Sequence, residues 1–214
     1  MQQIDYSLYL VTDRELSRGR TTLEVVQAAV RGGVTCVQLR EKSHPTRELV
    51  EDALKIKDFL RVHNIPLIIN DRVDVAMAVQ ADGVHLGQTD MPLETAKAIL
   101  NDSMIIGISA ESVEDAVKAE KGGADYISVS PVFATPTKTD TSPPLGLEGI
   151  KIIRQQVQIP IVGIGGLNKD NCADVIRCGA DGIAVVSAIV SADDPEKAAR
   201  ELREIIQQAK HHGT

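Results

Sequence analysis

A closed barrel of eight parallel β-strands, each followed by a helix, is the fold class this sequence predicts. Three observations point to it. Short apolar strands alternate with amphipathic helices from end to end, and a similar helix-to-strand turn recurs four times. Strands alternating with helices imply parallel pairing, because each strand needs a crossover to return in the same direction. Eight such units suit a (β/α)8 TIM barrel. A doubly wound open sheet is the alternative, and it is expected to carry a Gly-rich turn after the first strand. Thr12-Asp13-Arg14-Glu15-Leu16 stands there instead, with no phosphate fingerprint.

The elements follow in order. Ser7–Asp13 reads as the first strand and Thr21–Gly32 as the first helix, with Thr21 or Thr22 placed to cap it. Cys36–Lys42 is the second strand, followed by the long helix Thr46–Asn64. Pro66–Asp71 and Gly83–Gly87 are strands three and four, with a short helix around Val73–Gln80 between them. The helix Leu93–Leu100 leads to strand five, Ile105–Ala110, and then to the helix Val113–Lys121. Strand six is Tyr126–Phe133, and the next helix begins near Leu147. Strand seven is Pro160–Gly165, its helix Lys169–Arg177, and strand eight Gly182–Ile189. Glu196–Lys210 closes the chain as a helix, with apolar residues at Ala199, Leu202, Ile205 and Ile206.

The recurring turn supports the count. Gly32-Gly33-Val34, Ala81-Asp82-Gly83, Gly122-Gly123-Ala124-Asp125 and Gly179-Ala180-Asp181-Gly182 each lie between a helix and the next strand. Glycine there is the expected left-handed terminator of a helix. No linker or low-complexity segment interrupts the chain, so residues 1–214 read as a single barrel domain. The exception in composition is 134–145, polar and Pro-rich directly after strand six, which reads as a mobile active-site loop.

Composition excludes several function classes. The net charge of -7 repels nucleic acid and anionic membranes, so an anionic ligand needs a local cluster of cations or a metal. Aromatic residues make up only 2 %, too few for a stacking platform, and imply an aliphatic core. Cys36, Cys172 and Cys178 form no paired framework and read as small buried apolar residues. The N-terminus lacks a signal-peptide pattern and no apolar run approaches membrane-spanning length, so a cytoplasmic protein is expected. The sequence is compatible with a homo-oligomer and does not specify one.

In such a barrel the active site lies at the C-terminal ends of the strands. On strand two, Gln38, Arg40 and Lys42 share one face, while Val37 and Leu39 share the other. The apolar pair suits the helices, which turns the polar three toward the mouth. Cations placed there call for an anionic partner; a frayed end with solvated charges is the bland reading. Asn70 and Asp71 end strand three, and Asp90 lies in the turn after strand four. Either aspartate alone reads as a helix cap. Together, two carboxylates beside a cation cluster fit a Mg²⁺–diphosphate site. Ser109 ends strand five without a nucleophile elbow or a neighbouring base, which argues against a serine nucleophile. Gly163-Ile164-Gly165-Gly166 and the small Ser187 end strands seven and eight, where backbone N–H groups can approach a phosphate monoester. Two anion sites therefore suggest two phosphorylated substrates.

These residues carry a family resemblance. Gln38-Leu39-Arg40-Glu41-Lys42, Asn70-Asp71-Arg72, Asp82-Gly83-Val84-His85-Leu86-Gly87-Gln88 and Thr135-Pro136-Thr137-Lys138-Thr139 resemble thiamine phosphate synthase, as do Gly163-Ile164-Gly165-Gly166 and Val186-Ser187. The resemblance runs from about Tyr9 to the final helix, with the motifs in the family's order. It implies a Mg²⁺-dependent transferase on a TIM barrel. Such an enzyme joins 4-amino-2-methyl-5-hydroxymethylpyrimidine diphosphate to 4-methyl-5-(2-phosphoethyl)thiazole and releases pyrophosphate. It further implies that Gln38, Arg40, Lys42, Asn70, Ser109 and Lys138 bind the pyrimidine diphosphate, with Arg40, Lys42, Ser109 and Lys138 catalytic. Asp71 and Asp90 would hold Mg²⁺, and Thr135, Thr137, Gly166, Val186 and Ser187 the thiazole phosphate. The loop would be a lid. Glu111 departs from the histidine that many members carry. Three competitors remain in view: the thiazole tautomerase-like branch of the superfamily, a sugar-phosphate isomerase or epimerase, and a non-catalytic ligand-binding barrel. The first is expected to lack the loop motif and paired aspartates. The second is expected to need one phosphate site and a base, and the third to lack the metal carboxylates.

Overall fold

The computed structural model of the protein describes residues 4–135 and 143–211. Its strands pair in chain order around one closed parallel barrel. They are β1 (Leu8–Val11), β2 (Cys36–Leu39), β3 (Leu67–Asn70), β4 (Gly83–Leu86), β5 (Ile105–Ala110), β6 (Tyr126–Val129), β7 (Ile161–Ile164) and β8 (Gly182–Val185). The helices are α1 (Thr22–Arg31), α2 (Thr46–Val62), α3 (Val73–Val79), α4 (Leu93–Ile99), α5 (Val113–Gly122), α6 (Gly146–Gln156), α7 (Cys172–Arg177), α8 (Ser187–Val190) and α9 (Pro195–His211). Closure is direct: Leu8 pairs with Ile183 and Tyr9 with Ala184. An open sheet would leave those two edges apart. Among the described residues, no helix is long and apolar enough to cross a membrane.

Alternation along the strands sorts side chains between two cores. Leu8, Leu10, Val37, Leu39, Leu67 and Ile69 point outward and pack with the helices. Tyr9, Val11, Cys36, Ile68, Tyr126, Val162 and Ala184 form a separate cluster inside the barrel. The interior therefore departs from the aliphatic expectation, because the chain's three tyrosines all gather there. Tyr6 and Tyr126 ring centroids lie 4.6 Å apart, and those of Tyr9 and Tyr126 lie 6.0 Å apart. Gly107 makes this possible: a Cβ there would sit 2.1 Å from Tyr126 Cζ.

The repeated turn has a second purpose at the barrel's other end. Asp82, Asp125 and Asp181 each accept from a backbone N–H on the preceding strand: Leu67 at 2.8 Å, Ile106 at 2.7 Å and Ile161 at 2.8 Å. Thr35 does the same for Leu8 at 3.1 Å. These donors would otherwise lack a partner at the sheet's edge. Gly33, Gly123 and Gly179 take positive φ at three of the turns, whereas Gln80 does so at the fourth.

Element ends differ from the sequence expectation where a side chain or proline intervenes. At Thr21 a complete capping box starts α1: Glu24 N–H donates to the Thr21 hydroxyl, and the Glu24 carboxylate accepts from Thr21 N–H. Strand two stops at Leu39, not Lys42, because Arg40 N–H is taken by Thr12 Oγ1 at 3.0 Å. Strand six stops at Val129, ahead of Pro131, which has no N–H to offer. Strand eight ends at Val185 and not Ile189: Val186 leaves extended geometry and Ser187 opens α8.

Candidate active site

The C-terminal ends of the strands open into a cavity of about 660 Å³. Gln38, Arg40, Lys42, Asn70, Asp71, Asp90 and Ser109 line it from β2 to β5 and the turns that follow them. Thr135, Gly166, Val186 and Ser187 line it from the other side. Every sequence-predicted site residue within the described portion thus meets in one place. Thr137 and Lys138 lie outside the described residues, as do 136–142 of the expected loop.

On the first side, charge is concentrated. Asp71 follows β3 in a left-handed conformation, φ 61°, with its N–H donating to His85 O at 2.9 Å. Burial, then a side-chain hydrogen bond with Asp90 and repulsion from its charge, pushes the Asp71 carboxyl up to about 6; Lys42 and Arg40 oppose this. Asp90 is held by Gly87 N–H at 2.7 Å. Neither aspartate caps a helix: the N-cap positions of α3 and α4 are Arg72 and Pro92, with no side-chain cap at either. Two carboxylates close enough to share a proton are a fit for a divalent cation in its place. Among the described residues no three acidic, His or Cys side chains gather to hold a metal alone, so such a cation would need oxygens from a diphosphate. Arg40 is oriented by Asp13, Nη1 to Oδ2 at 3.3 Å.

Beneath this lies a buried polar chain that the sequence reading missed. Gln38 Nε2 donates to Tyr9 Oη at 3.0 Å, and Tyr9 Oη lies 2.9 Å from Tyr126 Oη. Tyr126 Oη is 2.9 Å from His85 Nδ1, and His85 Nε2 is 3.0 Å from Ser109 Oγ and 3.2 Å from Ser128 Oγ. Burial depresses the His85 pKa to about 4 against the pull of Asp90, so the imidazole is neutral near pH 7. Strand parity offered a signal for it. His85 stands two residues from Gly83, and Ser128 two from Tyr126, all on the inward face.

The second side is built from backbone. Gly165 and Gly166 have φ of 102° and 64°, a conformation side chains disfavour. A Cβ on Gly166 would come within 2.7 Å of Ala134 O and 2.9 Å of Phe133 Cβ. Asn171 Nδ2 pins the Gly166 carbonyl at 2.9 Å. Opposite, Ser187 opens α8, whose first-turn N–H groups have no intrahelical acceptor. Glu111 lies on the cavity wall beyond Ser109.

Comparison with known proteins supplies the family. A family model described as thiamine monophosphate synthase matches residues 8–189. Thiamine-phosphate synthase of Chloroflexus aurantiacus is 54 % identical over 203 residues, covering 95 % of this chain and 94 % of its own. That of Syntrophomonas wolfei is 53 % identical over 205 residues, covering 96 % and 98 %. A solved structure, thiamine phosphate pyrophosphorylase from Pyrococcus furiosus, superposes with a TM-score of 0.89 at 45 % identity, covering 96 % of this chain and 97 % of its own. 3-Hexulose-6-phosphate synthase shares the fold alone, at 17 % identity and a TM-score of 0.72. With a family model over nearly the whole barrel and full-length relatives at about half identity, the chain belongs to the thiamine monophosphate synthase family.

Proposed function

We propose that this protein joins 4-amino-2-methyl-5-hydroxymethylpyrimidine diphosphate to 4-methyl-5-(2-phosphoethyl)thiazole, giving thiamine phosphate and pyrophosphate. The observation that carries this reading is one cavity with two differently built walls, a cation- and carboxylate-rich one after β2 to β4 and a glycine-rich one after β7 and β8, each suited to an anion. A sugar-phosphate isomerase needs one anion site and a base. Here the buried histidine is neutral and engaged by three side chains. The paired Asp71 and Asp90 argue against both the tautomerase-like branch and a non-catalytic barrel.

The chemistry follows from the donors. The C–O bond between the pyrimidine methylene and the diphosphate breaks, and its electron pair leaves with pyrophosphate. The thiazole nitrogen lone pair forms the new C–N bond to that methylene. No proton is lost from the nucleophile, so no general base is required. Arg40 and Lys42 meet the charge developing on the leaving diphosphate, with Asn70 and the Ser109 hydroxyl beside them. Asp71 and Asp90 would hold Mg²⁺, which when bound neutralises diphosphate oxygens and eases their departure. Gly166, Val186 and Ser187 hold the thiazole phosphate through N–H groups, with Thr135 beside them. Thr137 would complete that site, and Lys138 would reach the leaving group, in a single barrel domain whose 134–145 segment acts as a lid. Both substrates are small and the enzyme works in the cytoplasm; a homo-oligomer is compatible with this reading.

The test is direct. Both phosphorylated substrates and Mg²⁺ are incubated with the protein, and any thiamine phosphate is oxidised to fluorescent thiochrome. Fluorescence that needs both substrates and the metal is the expected result; none, with verified substrates, overturns the reading.

A further inference from the structure

The chain Gln38–Tyr9–Tyr126–His85–Ser109 crosses the barrel interior and joins opposite walls of the cavity. Its two ends, Gln38 and Ser109, line the cavity, whereas Tyr126 does not. Each member has few hydrogens to give, so the direction of one bond dictates the next. Gln38 Nε2 can only donate, and it donates to Tyr9. Tyr9 Oη therefore turns its single proton onward; the Cys36 thiol beside it is a far weaker acceptor than Tyr126 Oη. Tyr126 then donates to His85 Nδ1, which places the imidazole proton on Nε2. That proton points between Ser109 and Ser128. Ser128 Oγ also donates toward Ser109 Oγ, at 3.5 Å. Ser109 then accepts from below, which leaves its own hydroxyl proton to turn into the cavity it lines.

We propose that this buried chain sets the hydrogen-bond polarity of the pyrimidine pocket and so determines its preference for an aminopyrimidine, with Tyr126 as a positioning residue. The proposal rests on the assignment of the pyrimidine to the Gln38 side. With Nε2 committed to Tyr9, Gln38 offers Oε1 as an acceptor, which suits an exocyclic amino group. Ser109 offers a proton on the other side. A 4-oxo analogue presents a carbonyl where Gln38 presents its own. To accommodate it, Gln38 would have to flip, and the flip would reverse Tyr9, Tyr126, His85 and Ser109 together. A buried polar group left unmatched costs more than a missing bond in water, so the chain resists that reversal.

The tautomer of His85 reports the polarity without substrate. By ¹⁵N NMR of histidine-labelled protein, the expected wild-type pattern is protonated Nε2 and bare Nδ1. In Gln38→Glu the new carboxylate accepts the Tyr9 proton, every bond reverses, and His85 is expected to carry its proton on Nδ1. The same tautomer in both proteins, or a wild-type Nδ1–H form, overturns the proposal. Tyr126→Phe keeps the ring packed against Gly107 but removes the central link. Its preference in kcat/KM for the aminopyrimidine diphosphate over the 4-oxo diphosphate is expected to fall at least about tenfold. An unchanged ratio also overturns the proposal. If wild-type protein makes no product from the aminopyrimidine diphosphate, the functional reading fails while the NMR comparison still decides the chain's direction.

Discussion

At Asp71 two unfavourable features coincide: a left-handed backbone, φ 61°, and a half-buried carboxyl facing another. Residues held this way persist where the surrounding structure or a ligand repays the strain. The sign of the pH effect follows from the shift. The native carboxyl titrates near 6 and its ordinary value is 3.8, so the native state binds the extra proton between them. The metal-free protein therefore loses stability as pH rises through that window. Asp71→Asn is expected to raise the melting temperature in EDTA at pH 8, with the benefit vanishing below about pH 3.8; calorimetry at the two pH values checks this. With Mg²⁺ the same residue becomes an asset. Asp71→Ala is expected to lower Mg²⁺-dependent kcat/KM by about 100-fold or more, while thiazole phosphate affinity stays within about twofold. Equal losses in turnover and in titrations with the thiazole phosphate would contradict two separate anion sites. Both aspartates, Arg40 and Lys42 were legible from position and parity alone. His85 and the tyrosines were not, because their polar function appears only when several strands face one another.

Strands and their following turns set how closely groups approach. Gly107 on β5 clears the space that Tyr126 on β6 occupies, and a Cβ there would meet the ring at 2.1 Å. Overpacking of that severity costs about 3 kcal/mol. Gly107→Ala is accordingly expected to lower the midpoint of urea unfolding by that equivalent, and a fall in near-ultraviolet tyrosine signal is expected with it. Gly166 after β7 is a different case, with positive φ and Ala134 O at 2.7 Å from a would-be Cβ. Gly166→Ala is expected to raise KM for the thiazole phosphate about tenfold or more and to leave pyrimidine diphosphate binding unchanged. Steady-state kinetics with each substrate varied in turn separates the two. Strand five was readable to the residue, Ile105–Ala110, because its ends coincide with its apolar pattern. Strand eight was not: Val186, Ala188 and Ile189 continue the apolar run, but the chain turns into α8 at Ser187. A short apolar run does not distinguish strand from buried helix by pattern.

Over the whole barrel, the two ends divide stability from function. The Asp-bearing turns cap strand edges at the end opposite the cavity. Asp125→Ala would leave the Ile106 N–H without its 2.7 Å partner and is expected to cost about 1–2 kcal/mol. Its kcat/KM is expected to match wild type at temperatures below unfolding, and a matching fall in both would show that the ends are coupled. The sequence by itself determined the strand and helix succession, the inward and outward faces, and the polar residues at each strand's end. These are local properties, carried by periods of about two and 3.6 residues and by turn chemistry. Only the tertiary structure decided which inward groups touch. Tyr9 and Tyr126 are 117 positions apart, yet barrel closure brings their hydroxyls to 2.9 Å. Distance across a barrel depends on how all eight strands pair and on a glycine on the strand next to Tyr126, and no local pattern encodes that sum.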